Sequence, residues 1–350
     1  MRCACVGRGG KRAWALHALL AQLSLGIAGS AYAQGESAAY FKGRTIQAVV
    51  GYQGGSTYDL YLRSFGRHVQ KHLPGNPTVV VQNMPGAGAL TATIYLANLA
   101  AKDGTVIGIL NPANMIEPLI NPETTKFDPR AFEWIGNLAQ EHTSCGFWAK
   151  DITTLDDLKK REIAIGSTGP TAGSSVEAKL VSGMLGLKFR IVEGYRGLAE
   201  VRLAAARGEV DGHCALFMSV LRSEQREAWA AGRIKVPLQI GLTGHPEFGN
   251  TPNLFDLVSE GDKQLLRLLI GQWAYARPIT LPPGTPAERV AAWRAAFEAT
   301  LKDPEFRAEM EKARLDVVPM SADKIAPLIA QTMATPLPVV ERARALLKGK

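Results

Sequence analysis

The stretch that decides the fold is Val80-Val81-Gln82-Asn83-Met84-Pro85-Gly86-Ala87-Gly88, in which a β-branched run breaks into glycines before a helical pattern begins. An earlier loop, Gly51-Tyr52-Gln53-Gly54-Gly55-Ser56-Thr57-Tyr58-Asp59, has the same order. Such turns present backbone N–H groups at a helix N-terminus, where the dipole and the unpaired donors favour an anion. Two of these loops on neighbouring strands face one cleft. The pattern therefore predicts a site that holds a small carboxylate.

Strand and helix patterns alternate outward from these loops. Predicted strands at 45–51, 78–82 and 106–110 flank predicted helices at 58–73 and about 89–100. These are two consecutive βαβ units, which imply a parallel sheet. The alternation of strands and helices begins again in a second set. Its predicted strands are at 162–166, 189–192, 210–215 and 235–241, and its predicted helices are at 172–185 and 198–207. The C-terminal stretch is helical, and Asp303-Pro304 ends one helix and caps the next.

These patterns predict an α/β fold with two lobes. Residues 34–139 plus 272–350 form the predicted first domain and residues 140–271 the second. The chain crosses between them at 132–138 and again at 273–278. In open α/β sheets, ligands bind beyond the carboxyl ends of strands, which is where the glycine loops fall.

The N-terminus has the features of a secretory signal peptide. Four basic residues precede a mostly Ala and Leu run from Ala13 to Ala28, and Ala31-Tyr32-Ala33 forms a small-residue cleavage site. Residues 1–33 are therefore predicted to be removed after Ala33, and the mature protein to be periplasmic. The net charge of +8 then falls to +4, because the removed segment carries four basic and no acidic residues. A mildly positive chain suits an anionic ligand and does not indicate nucleic acid.

Two cysteines, Cys145 and Cys214, remain after cleavage, 69 residues apart. In an oxidising compartment they form either a disulfide or two buried thiols, and the sequence does not choose between these. There is no C-x-x-C pattern for a metal.

The chain resembles the Bug-type solute-binding proteins, the periplasmic receptors of tripartite tricarboxylate transporters. The resemblance rests on motifs in register along nearly the whole mature chain. They are Phe41-Lys42-Gly43-Arg44-Thr45-Ile46, Gly54-Gly55 with Asp59, Asn83-Met84-Pro85-Gly86-Ala87-Gly88, Lys102-Asp103-Gly104-Thr105, Gly166-Ser167-Thr168-Gly169-Pro170, Gly194-Tyr195-Arg196-Gly197, Gly208-Glu209-Val210-Asp211-Gly212 and Leu281-Pro282-Pro283-Gly284-Thr285-Pro286. It implies a two-lobed periplasmic binding protein fold (type II-like) that closes on a small organic carboxylate and delivers it to the permease subunits of a membrane transporter. Arg196 and Met84 depart from the common pattern, which bears on ligand identity.

The candidate ligand-binding residues of the first domain lie in its two glycine loops: Gly54, Gly55, Ser56, Asp59, Asn83, Gly86, Ala87 and Gly88. The glycines permit close backbone approach, and Ser56 adds a hydroxyl. Asp59 lies in the first helical turn, where it either stabilises the dipole or orients the loop or a ligand amine.

The candidates of the second domain are Ser167, Thr168, Gly169, Tyr195, Arg196 and Asp211. Ser167 or Thr168 either contacts the ligand or caps a helix. Arg196 either pairs with a ligand carboxylate or is a solvated rim charge. Asp211 either anchors the Tyr195–Leu198 turn or touches the ligand.

No catalytic residues, cofactor or metal site are predicted. His68 and His72 share a helical face, but no glutamate follows His68 as a metalloprotease helix requires, so a solvated face is expected. The Gly86-x-Gly88 loop lacks the third glycine and the acidic residue of a dinucleotide site. A periplasmic sensor of an organic acid and a periplasmic enzyme stay as alternative hypotheses, and a monomer is expected.

Overall fold

The computed structural model describes Met1 and residues 40–169 and 172–348. Apart from Met1, the predicted signal peptide and its cleavage site lie outside these residues. Within them the chain forms two sheets with helices packed around each, which is the predicted α/β architecture.

The first sheet has six strands in the order β11-β4-β10-β3-β1-β2. Their bounds are β1 Thr45–Val50, β2 Thr78–Asn83, β3 Val106–Ile109, β4 Glu133–Asn137, β10 Pro278–Leu281 and β11 Met320–Ser321. Strand β1 pairs in parallel with β2 and β3, as the two predicted βαβ units require. Strand β10 comes back from the second sheet and pairs antiparallel with β3 and β4.

The second sheet has five strands in the order β7-β6-β8-β5-β9. Their bounds are β5 Thr143–Phe147, β6 Ile163–Gly166, β7 Phe189–Val192, β8 Gly212–His213 and β9 Lys235–Ile240. Strand β8 is shorter than the predicted 210–215, because Ala215 takes a left-handed conformation (φ 57°) and its N–H leaves the sheet to bind Glu177.

The helices surround these sheets. In chain order they are α1 Thr57–His72, α2 Leu90–Asn98, α3 Glu117–Ile120, α4 Gly173–Leu185, α5 Leu198–Arg207, α6 Met218–Arg222, α7 Arg226–Ala230, α8 Leu254–Leu257, α9 Glu260–Ile270, α10 Ala287–Lys302, α11 Pro304–Lys312, α12 Ala322–Met333 and α13 Leu337–Leu347. Among the described residues, none of the helices combines the length and the apolar character that a bilayer crossing demands.

The core of the first lobe lies between β1, β3, β10 and helices α1 and α10. The apolar face of α10 is buried, with Trp293 and Phe297 fully inaccessible to solvent. On α1, Leu62, Phe65 and Val69 are equally buried. Apolar residues that recur every three to four positions therefore form the face of each helix that packs on the sheet.

Two crossover segments join the sheets at their carboxyl edges. Strand β4 ends at Asn137, level with the ends of the parallel strands, and Thr143 then begins β5 opposite Ile240. The return crossover runs beside the first, since Leu138 N–H donates to the Arg277 carbonyl (3.0 Å) and Glu141 N–H to the Trp273 carbonyl (2.9 Å). Because both crossovers meet the sheets at these edges, the loops that follow the parallel strands of the two lobes face one cleft.

Two helices outside residues 140–271 pack on the second lobe. Val339, Val340 and Ala343 of α13 share a hydrophobic cluster with residues of the second sheet, as does Ile120 of α3. The predicted domain boundaries, 34–139 plus 272–350 and 140–271, stay a prediction. The packing shows that the C-terminal helix α13 contacts the second lobe, although it lies outside residues 140–271.

Cys145 and Cys214 are joined by a disulfide inside the second lobe. Cys145 lies in β5, Cys214 directly follows β8, and both are inaccessible to solvent. The bond ties two adjacent strands within one core cluster.

Candidate functional site

The first glycine loop connects β1 to α1 at the carboxyl edge of the first sheet. Ser56 caps the helix by accepting a hydrogen bond from Asp59 N–H (3.3 Å). Gly54 and Gly55 are exposed, and Gly55 has a left-handed φ of 82°. The loop therefore shows its backbone to the cleft at the N-terminus of a 16-residue helix.

Asp59 is buried and holds this loop together. Its carboxylate accepts hydrogen bonds from Gly55 N–H, Arg63 and Asn83, each at 2.8–2.9 Å. Asn83 also donates to the Tyr52 carbonyl and accepts from Arg63, so the network joins both glycine loops. Burial raises the pKa of Asp59, but hydrogen bonds from Arg63, Gly55 and Asn83 outweigh it and leave the pKa below its usual value. The structure thus gives Asp59 and Asn83 partners within the protein.

The second glycine loop follows β2 and has an unusual backbone. Gly86, Ala87, Gly88 and Ala89 all have positive φ values, of 149°, 47°, 63° and 72°. Positive φ is costly for alanine, by roughly 1–2 kcal/mol per residue, so the fold over-determines this conformation. Residues 86–88 are exposed at the start of α2.

The two loops of the first lobe touch. A Cβ atom on Gly51 would lie 2.2 Å from the Cβ of Ala89, so only glycine fits there. Asn111, which follows β3, donates to the Gly88 carbonyl (3.0 Å). The end of a third strand therefore lies beside the two glycine loops. Asn111 was missed in the sequence because the segment after β3 lacks a glycine signal.

In the second lobe, Ser167, Thr168 and Gly169 follow β6 directly. Ser167 is buried and its hydroxyl bonds with Ser174 (2.8 Å) and Ser175 (2.7 Å) of α4. Thr168 and Gly169 are half-buried beside it. Ser175 also donates to Glu193 (3.2 Å), which follows β7, so the ends of β6 and β7 lie together.

Tyr195 and Arg196 lie in the turn after β7. The Arg196 side chain is 92% exposed and pairs with Glu200, which also accepts from Arg196 N–H (2.9 Å). This places Arg196 on the rim. Tyr195 is half-buried against a small cluster around Val210.

Asp211 lies away from the other candidates. It precedes β8, level with Ala164 in the amino half of β6, and accepts from Ala164 N–H (2.7 Å) and Arg161 (2.8 Å). Burial raises the pKa of Asp211, but hydrogen bonds from Arg161 and Ala164 more than offset this and lower it. Its carboxylate anchors the sheet edge opposite the cleft.

A buried arginine at the crossover was missed by the sequence analysis. The Arg277 guanidinium lies 4.3 Å from the ring centroid of Tyr58, which stacks on Tyr52 at 4.7 Å. Glu141 of the other crossover lies 3.4 Å away, and its burial raises its pKa against the effect of Arg277. The stack couples the second crossover to the first glycine loop. The sequence feature that could have identified Arg277 is the presence of an arginine within the predicted crossover at 273–278.

We expect Asp59→Asn to reduce ligand affinity at least fivefold and the free energy of unfolding by about 2 kcal/mol, because charged hydrogen bonds contribute about 1.5–3 kcal/mol. The matched control is Asp211→Asn, which disrupts a similar carboxylate–arginine contact at the far sheet edge. Urea melts and calorimetric titration measure both quantities. The control should lose stability and keep its affinity, and equal affinity losses in both variants would refute a role of Asp59 in the loop.

Solved structures similar to this chain show its fold. A TctC solute-binding protein from Polaromonas aligns with a TM-score of 0.66 at 18% identity, over 88% of this chain and 99% of that one. A Rhodopseudomonas palustris protein with adipate aligns with a TM-score of 0.60 at 18% identity, over 87% and 97%. MatC from the same organism, with bound malate, aligns with a TM-score of 0.56 at 17% identity, over 87% and 99%. At these identities the likeness shows the fold, which is the two-lobed periplasmic binding protein fold predicted above.

Sequence comparison identifies the family. Residues 62–344 match the model of the tripartite tricarboxylate transporter family receptor, TctC. A Cupriavidus necator protein described as UPF0065 protein in gbd 5'region is 24% identical over 316 residues, covering 86% of this chain and 88% of that protein. The chain belongs to the TctC receptor family, and the predicted resemblance is confirmed.

Proposed function

We propose that this protein is an extracytoplasmic receptor that captures a small organic carboxylate between its lobes and delivers it to a tripartite tricarboxylate-type permease. Membership of a receptor family supports the part of this proposal that makes the protein a receptor. The carboxylate is inferred from the chemistry of the cleft. In the proposed mechanism the lobes close about the two crossovers, as hinged binding proteins do.

The observation that carries the proposal is the left-handed run from Gly86 to Ala89. A fold retains costly backbone at two alanines where the geometry serves a purpose. Here the run turns the peptide groups after β2 at the N-terminus of α2, beside the first glycine loop. Successive backbone N–H groups form anion-binding concavities where a left-handed and a right-handed residue adjoin, as Ala89 (φ 72°) and Leu90 (φ −63°) do at the end of the run.

The helix N-termini at the cleft favour a bound carboxylate through their dipoles. Each helix N-terminus contributes about 0.3–1 kcal/mol toward an anion, so several must converge on one carboxylate. The helices α1, α2 and α4 each begin just beyond a strand's carboxyl end. Ser56, Thr168 and Gly169 are our proposed contacts across the cleft, with Gly54, Gly55 and 86–88 supplying backbone donors. Two of the similar solved structures contain malate and adipate, which supports this ligand class.

The test is a thermal-shift screen of refolded mature protein against mono-, di- and tricarboxylates and aromatic acids. A ligand at 100 times its Kd adds about 2.7 kcal/mol of stability. A selective shift with the acid recovered unchanged supports a receptor. Conversion of the acid would favour an enzyme, and a folded protein with no shift across the panel would refute carboxylate binding.

Gly86→Ala should weaken binding of the acid found in that screen at least tenfold. An added Cβ would lie 2.6 Å from Thr91 Oγ1, in a backbone conformation that alanine rarely adopts. The loop must therefore shift, which displaces the proposed donors. The control is Gly186→Ala, at φ 65° with open space around it, at the end of α4. Calorimetry should find unchanged affinity in the control, and unchanged affinity in Gly86→Ala would exclude this loop from the site.

Delivery and location need separate experiments. We propose export through cleavage after Ala33, a periplasmic location and a monomeric receptor. N-terminal sequencing of the exported protein, light scattering and acid uptake by cells lacking the gene would test these points. Normal uptake with a functioning permease would favour a sensor.

A further inference from the structure

Six side chains meet on the outer face of the first lobe, where α1 packs on α11. We name them the α1–α11 cluster: His68, Lys71, His72, Asp303, Glu305 and Glu309. The sequence pattern predicts a solvated face for the two histidines, and this is wrong for His68, which is 7% exposed. The cluster lies at the far end of α1 from the glycine loop.

The ring of His68 has one nitrogen with a hydrogen-bond partner and one without. Nε2 lies 2.9 Å from Glu309 Oε2, so a neutral ring donates its Nε2–H there. Nδ1 is buried with no hydrogen-bond partner, and its nearest charged neighbour is Asp303 Oδ2 at 3.6 Å. A lone pair and a carboxylate oxygen therefore face each other across a gap too long for a hydrogen bond. An imidazole held by a carboxylate on one nitrogen, with the other free, is the usual support of a metal-binding histidine.

Asp303 lies opposite the unpartnered nitrogen of His68. Two ligands of a tetrahedral zinc ion with bonds of about 2.0–2.1 Å lie about 3.3–3.4 Å apart. The 3.6 Å between His68 Nδ1 and Asp303 Oδ2 is close to that separation. Ligand atoms of His68, Asp303 and Glu305 all lie within 4.8 Å of one another, so these three side chains can hold one ion and water can take the fourth position. His72 Nε2 lies 3.1 Å from the same Asp303 oxygen and orients that carboxylate.

A cation already occupies part of the site. Lys71 Nζ lies 3.1 Å from Asp303 and 2.6 Å from Glu305. The lysine side chain is 41% exposed, beside an open depression of about 540 Å³, so it has room to swing into solvent.

We propose that the α1–α11 cluster is a binding site for a late first-row divalent cation, zinc above all. His68 Nδ1, Asp303 and Glu305 are its protein ligands, and water takes the remaining position. Imidazole with carboxylate oxygen is a donor set that zinc accepts and that magnesium does not favour. The ion replaces the Lys71 ammonium and fastens α11 to the helix that begins at the first glycine loop.

The test uses the mature chain without a histidine tag, stripped with a chelator and titrated with ZnCl₂. We expect one equivalent of zinc to bind and to raise the Tm, with no response to MgCl₂. Cobalt should give the visible absorption of a tetrahedral site. Glu305→Gln, at an exposed position that tolerates change, should weaken zinc binding at least tenfold. Lys71→Gln should strengthen it severalfold, because the competing cation is gone.

The matched control is His245→Gln, which alters another histidine pair, with ring centroids 4.9 Å apart. This variant should bind zinc like the parent. No zinc binding, binding lost in His245→Gln but kept in Glu305→Gln, or weaker binding in Lys71→Gln would each overturn the proposal. If His68→Gln fails to fold, the opposite changes in the other two variants still decide it.

Discussion

Glu177→Gln should make the protein more stable at pH 8, by several kcal/mol, while leaving it almost unchanged near pH 4. Glu177 lies in α4 and is buried, with Ala215 N–H as a 2.9 Å donor. Burial raises the pKa of this carboxyl to about 8, and hydrogen bonds from Thr143, Ala215 and Trp273 offset only part of that effect. Thr143 and Trp273 belong to the two crossover regions, so the proton on Glu177 sits where the lobes join.

The direction of the stability change follows from the pKa of Glu177 in the unfolded and in the folded state. The unfolded carboxyl titrates near 4.5 and the folded one near 8, so between these values the folded state keeps a proton that the unfolded state has lost. The contribution is fully present below pH 4.5 and is lost as the pH rises through 8. Stability should fall by up to about 1.4 kcal/mol per pH unit in this window. Glutamine keeps the acceptor oxygen and removes the titration.

Urea melts of parent and variant from pH 4 to pH 9 measure this difference. Glu162→Gln is the control, because Glu162 is exposed in the same lobe and its carboxylate pairs with the exposed Arg190. It should stay within about 0.5 kcal/mol of the parent at every pH. A constant difference between Glu177→Gln and the parent across the range would show that Glu177 does not titrate on unfolding.

Replacing both Cys145 and Cys214 by alanine should lower the free energy of unfolding of the second lobe by about 4 kcal/mol. The bond closes a loop of 69 residues, and loop closure in the unfolded chain predicts about 4 kcal/mol for that length. Both side chains are buried in the lobe's core, so the lost sulfur packing adds to this effect.

Urea denaturation of the double variant, followed by tryptophan fluorescence, measures the loss. Ligand affinity should change less than threefold in the folded variant, because both cysteines lie in the core of the lobe and neither is a proposed ligand contact. The control is Cys145→Ala alone, which should be as unstable as the double variant since either change removes the bond. Equal stability of parent and double variant would show that the bond does not constrain the unfolded chain.

The strand-to-helix turns were predictable because their signals are local. Glycines at 54, 55, 86 and 88, following β-branched runs, specify where strands end and helices begin within a few residues. The apolar faces of α1 and α10 and the cap at Asp303 follow from spacing in the same way. The strands β1, β2, β3, β6, β7 and β9 therefore lie within one or two residues of their predicted bounds.

The sequence by itself thus determined the two α/β lobes, the order of their elements and the loops at the cleft. Only the tertiary structure decided that Asp211 faces the far sheet edge, that Arg277 stacks on Tyr58 and that His68 meets Glu309. The partners of these residues lie 50, 219 and 241 positions away. The physical reason is that a buried charge takes whichever partner the packing brings near, and periodicity along the chain carries no record of that distance.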